Sequence, residues 1–98
     1  MIKHIVVWRM KDTPDKLEKA QAIKENLENL MGKIPELVSI QVGLNFNTSE
    51  AASDVVLVSE FKSKEDLAVY QEHELHKNVG ANFVRPNVSE RRVVDYEF

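Results

Sequence analysis

The chain contains no cysteine, which removes disulfide staples, thiolate metal sites and thiol nucleophiles together. Apolar runs are also missing: none exceeds four residues, as in Ile5 to Trp8, which Arg9 and Lys11 follow. That is far short of a membrane span, and the run starts too early and lacks the cleavage site of a signal peptide. A cytoplasmic protein without membrane contact is the expectation. There is no block of like charge either. The formal charge is -3, with acids and bases interleaved, so nothing could neutralise a series of phosphates and nucleic acid is excluded as a partner. Repeats, low-complexity tracts and linkers are absent as well.

What remains is an ordinary globular composition, 43% apolar and 30% charged over 98 residues, which makes residues 1–98 one domain. A chain of this size buries only about 60 to 65% of its unfolded surface, so burial is scarce. Ile2 to Met10 reads as a strand, with Ile2, His4, Val6, Trp8 and Met10 on one side and Lys3, Ile5, Val7 and Arg9 on the other. Thr13 as a cap, Pro14 at the first helical position and Asp15 in the first turn announce a helix. Its apolar stripe runs through Leu17, Ala20, Ile23, Leu27, Leu30 and Met31, and Gly32 and Pro35 end it. A second strand is expected over 38–44 and a third over 55–61, joined by the polar loop 45–54. Ser63 with Asp66 resembles a capping box opening a second helix through Leu67 and Tyr70. From His73 to Val84 the pattern loosens, which predicts a broken helix or a further short one, and a fourth strand follows over 91–98.

The order βαββαβ is that of the ferredoxin-like α+β fold, a four-stranded antiparallel sheet with both helices on one face. A sheet with one solvated face should alternate apolar with polar residues. Here Ile5 and Val7 back onto Val6 and Trp8, and Val56 and Val58 onto Val55 and Leu57. Two helices cover one face, so the other is a bare apolar patch, and a second copy of the chain is the simplest cover. A homodimer is therefore expected.

Several segments resemble the stress-responsive A/B barrel domain, one of the dimeric α+β barrel families. They are Lys3-His4-Ile5-Val6-Val7 with Lys11-Asp12, Ile34-Pro35-Glu36-Leu37 running into Val42-Gly43, Tyr70-Gln71-Glu72-His73-Glu74-Leu75-His76, and Val93-Val94-Asp95-Tyr96. The resemblance spans the chain in order and implies two sheets facing each other as a barrel with the helices outside. It departs at Glu74, where the family usually has proline after the histidine, which implies a longer second helix and a changed presentation of His76.

Some members resemble plant polyketide cyclases, which close a poly-β-keto chain by aldol chemistry without a cofactor. Their working residues match His4, Tyr70 and His76 in this sequence. Such chemistry needs a base beside a carbonyl and a donor to the developing oxyanion. Imidazole near neutral pH suits the first role and a phenol the second. The expectation is His76 as general base, with Tyr70 and His4 orienting and polarising the carbonyl of a small-molecule ligand. Trp8, on the same strand face as His4, and His73 are expected to touch that ligand. Periodicity does not say which strand face the helices cover; the resemblance assigns it to the His4 side. Relatives also suggest a structural magnesium ion on the main-chain carbonyls of Met31, Ile34 and Leu37, where the first helix ends.

Blander readings stand beside these. His4 can be a satisfied core histidine, Tyr70 a packing residue with its hydroxyl at the rim, and His73 and His76 solvated residues near a helix end. The three histidines could suggest zinc, but no carboxylate completes a set. A non-catalytic stress-related dimer and an antibiotic-monooxygenase-like relative are the competing functions; the motif residues of the latter are not apparent.

Overall fold

The computed structural model describes residues 1–98. Strand β1 (Ile2–Met10) sits at the centre of the sheet. It pairs with β3 (Val55–Phe61), Ile2 opposite Phe61 through Trp8 opposite Val55. On its other side it pairs with β4 (Val88–Glu97), His4 opposite Asp95 and Trp8 opposite Arg91. Strand β2 (Ser39–Leu44) closes the far edge against β3, so the antiparallel sheet runs β2-β3-β1-β4. This is the ferredoxin-like α+β fold. β1 and β3 fill the middle because their β-branched residues suit a surface packed on both sides.

Helix α1 (Lys16–Glu28) lies across β2, and α2 (Lys64–Glu72) across β1 and β3. Ala20, Ile23 and Leu27 bury the inner side of α1, and Leu30, Ile34 and Leu37 continue that core through the following turn. Gly32 takes φ +84° there, a left-handed conformation that glycine adopts without a Cβ clash. The outer edge of β2 is closed by side chains of α1: the Val42 N–H donates to Glu28 Oε2 (3.0 Å) and Lys24 Nζ donates to the Val42 carbonyl (2.7 Å). Helix and strand are thus pinned together, and an exposed sheet edge is blunted.

Several local expectations need correction. Thr13 does not cap α1; its hydroxyl donates to Asp15 Oδ1 at 2.7 Å, and the helix starts at Lys16. Leu17, in the first turn of α1, and Met31, in the turn beyond the helix end at Glu28, are exposed although spacing placed both on the apolar stripe. β2 starts at Ser39 and β4 at Val88, three residues before the expected start of the last strand. The second helix does not run on without its proline. It stops at His73, which has extended φ/ψ (-64°, 135°), and α3 (Glu74–Val79) starts afresh. A wide π-type turn Gly80–Val84 and a 3-10 turn Arg85–Asn87 then lead into β4.

The two sheet faces differ as the burial argument requires. Ile2, His4, Val6, Trp8 and Met10 of β1 and Val55, Leu57, Ser59 and Phe61 of β3 are buried under the helices. The opposite face carries half-buried Ile5, Val7, Val56 and Val58, with exposed Val94, Tyr96 and Phe98 beside them on β4. No helix covers it.

Candidate functional site

The helix-facing row that crosses the sheet at His4 is polar. His4 lies opposite Ser59 on β3 and Asp95 on β4. His4 is 2% exposed, and its Nδ1 is hydrogen-bonded to Asp95 Oδ1. A carboxylate only accepts, so His4 Nδ1 is the donor in this pair. Ser59 donates to the His4 carbonyl at 3.3 Å. Composition and spacing gave no hint of Asp95 as a site residue. The signal is the antiparallel register between the first and last strands, which only a paired sheet reveals.

Tyr70, the last inward residue of α2, has no exposed surface. Its ring packs between Phe61 (centroids 5.0 Å apart) and His76 (4.4 Å, planes at 48°). Its hydroxyl is buried and has no hydrogen-bond partner. Burial alone pushes the Tyr70 hydroxyl far above its usual pKa, so it stays protonated as a donor. An unmatched buried hydroxyl is costly and calls for an explanation.

His76 owes its position to the break at His73. The end of α2 leaves carbonyls without helical partners, and His76 Nδ1, five residues after Gln71, is 3.2 Å from the Gln71 oxygen. A carbonyl also only accepts, so this contact places the proton on Nδ1 and leaves Nε2 free to act as a base. Burial lowers the His76 pKa below the usual histidine value; the Gln71 contact opposes this, and the charges of His4, Arg91 and His73 add to it. The imidazole is therefore neutral at pH 7.

His73 is placed differently. Its Nδ1 accepts the Leu75 N–H at 3.1 Å and so caps α3. Trp8 lies on the His4 face, four residues along β1, 4% exposed, with its indole Nε1 buried and unpartnered. None of the principal cavities is lined by His4, Tyr70 or His76. An opening of about 350 Å³ is bordered by Asp95, Ile2, Leu67 and Lys64. Of the three carbonyls suggested for a magnesium ion, that of Ile34 already accepts the Leu37 N–H at 3.1 Å. Three neutral oxygens, one of them in use, match poorly an ion that favours carboxylates, and no group of three His, Asp or Glu side chains could hold a metal elsewhere.

Fold and site together define a small ferredoxin-like protein carrying a buried histidine–tyrosine cluster beneath its helices. The chain belongs to the stress responsive A/B barrel domain family, whose profile matches residues 2–98. It is similar to a dimeric ferredoxin-like protein of unknown function from Bacteroides fragilis NCTC 9343, at 36% identity and TM-score 0.91, covering 99% of this chain and 95% of that one. It is also similar to a dimeric ferredoxin-like protein from Thermobifida fusca YX (26% identity, TM-score 0.82, 99% and 90% covered). A hydroxynitrile lyase from Passiflora edulis shares the fold, at 21% identity and TM-score 0.73, with 97% and 90% covered. Among functionally curated proteins, none matches the sequence. No helix is long and apolar enough to cross a membrane.

Proposed function

We propose that this protein is a homodimeric, cofactor-free acid–base catalyst acting on a small carbonyl compound, with the site inside each subunit. The observation that carries this is the Tyr70 hydroxyl, buried, protonated and unpartnered beside a neutral His76. His76 Nε2 removes a proton from the carbon next to the carbonyl. The electron pair moves onto the carbonyl oxygen, where the Tyr70 O–H donates to the developing enolate. The His76 imidazolium then returns its proton to carbon. His4, its Nδ1 held by Asp95, turns Nε2 towards the same layer and orients the substrate. The dimer reading rests on the bare apolar face of the sheet and on the dimeric descriptions of the Bacteroides fragilis and Thermobifida fusca proteins.

The test is exchange of α-protons for deuterium in 2-octanone, followed by NMR in D₂O. Wild type accelerates exchange above the buffer rate, and Tyr70→Phe and His76→Ala each remove the acceleration. The close packing of the Tyr70 ring against Phe61 and His76 favours a second reading, a non-catalytic dimer in which Tyr70 serves packing. It predicts exchange at the buffer rate.

A further inference from the structure

The helix-facing side of β4 leaves one cation unused. Arg9 and Arg92 both pair with Glu90, but Arg91 is exposed and engages no carboxylate. In the sheet register Arg91 stands directly opposite Trp8, and cross-strand partners on one face hold their Cβ atoms about 5 Å apart. The Trp8 indole N–H is the second buried polar atom that lacks a partner; the first is the Tyr70 hydroxyl. The side chain between the Arg91 and Asp95 rows on this side is Val93, apolar and 39% exposed. One end of the row therefore offers a neutral donor and an unpaired guanidinium, the middle is apolar, and the other end is the His4–Asp95 pair.

We infer that Trp8 and Arg91 form a carboxylate-recognition subsite, and that the substrate is an oxo-acid whose carbonyl and carboxylate are separated by an apolar chain. The inference rests on the acid–base reading above and specifies its substrate class. A carboxylate has two oxygens that accept in one plane, so one can take the indole N–H while the other takes the guanidinium. This satisfies a buried donor that otherwise has no partner, which is the reason to expect a ligand there rather than a chance surface charge. Trp8 and His4 lie four residues apart on β1, about 13 Å at the rise of a strand, so a chain of several methylenes reaches from one end towards the other. His76 feels the charges of both His4 and Arg91, in keeping with a position between the two ends.

The probes are 7-oxooctanoate and its methyl ester, alike except for the charge. Trp8 is the sole tryptophan, so its fluorescence reports occupancy directly; calorimetry serves for Trp8→Phe. The acid should bind wild type at least tenfold more tightly than the ester. Arg91→Ala should erase that preference, Arg91→Lys should restore part of it, and Trp8→Phe should weaken the acid severalfold. Lys62→Ala, an exposed cation away from the row, should leave both affinities unchanged. Equal binding of acid and ester, or an unchanged preference in Arg91→Ala, overturns the subsite, and so does failure of both probes to bind. The 2-octanone exchange separates the two ideas: catalysed exchange without acid preference removes the subsite and keeps the acid–base site. An Arg91-dependent preference without exchange keeps the subsite and removes the catalytic step.

Discussion

At the scale of residues, what distinguishes this site is protonation, and the protonation states follow from hydrogen-bond partners. The Gln71 backbone carbonyl and the Asp95 carboxylate can only accept, so His76 and His4 each donate through Nδ1. Burial holds the His76 pKa below about 6.5, its ordinary value. Below pH 6.5 the unfolded imidazole takes up a proton that the buried one resists, so the unfolded state binds more protons. Stability then falls as the pH drops from about 6.5 to the folded-state value, and levels off beneath it. An NMR titration should place the His76 midpoint under 6.5, and His76→Gln should flatten part of the fall in Tm between pH 7 and about 5.5. A midpoint at or above 6.5 contradicts the burial account. Three of the candidate site residues were legible in the sequence because a resemblance placed them on a strand and a helix. Asp95 was not, since its partner lies 91 positions away and only strand register joins them. Nor could spacing show that His73 would be consumed as a cap.

At the scale of elements, the junction between α2 and α3 decides where His76 points. The family usually has proline after this histidine, yet the chain breaks at the same place with Glu74 instead. The cause is local: His73 adopts the extended backbone and its ring caps the next helix, which substitutes for the missing proline. Glu74 is the first residue of α3, the position at which proline fits a helix best, and the ψ of 135° at His73 is the conformation that precedes a proline. Glu74→Pro should therefore fold normally and raise stability by about 0.5–1 kcal/mol through a less flexible unfolded chain, read as a higher Tm. A drop in Tm would mean that the junction is held by contacts of Glu74 rather than by His73. The strands and the main helices were legible because alternation and three-to-four spacing are strong over seven or more residues. The start of β4 was not. Val88, Ser89 and Glu90 carry no apolar alternation and join the strand through their pairing with Met10 and Arg9.

At the scale of the whole molecule, a 98-residue chain buries one sheet face under its helices and leaves Ile5, Val7, Val56 and Val58 on the other. The contrast between the faces was readable from β1 and β3 alone. Which face the helices take was not, because both are apolar. Covering the open face with a second copy adds the burial that so short a chain lacks. Ile5→Lys puts a charge at the middle of that face, where Ile5 pairs with Val58 and Val94. Light scattering coupled to size exclusion should find wild type at twice the monomer mass at micromolar concentration and Ile5→Lys shifted to monomer. Wild type running only as monomer would contradict the dimer.

Acid–base chemistry at the Tyr70–His76 pair needs the Tyr70 hydroxyl, and the Tyr70→Phe variant removes that group alone. Its α-proton exchange of 2-octanone should be measured beside wild type, with Tm taken on the same samples. The hydroxyl has no partner, so removing it should leave Tm unchanged or higher, while loss of one oxyanion donor should lower the catalysed rate about 100-fold or more. A Tm several degrees lower with an unaltered exchange rate would show that Tyr70 serves packing alone, and would contradict the account.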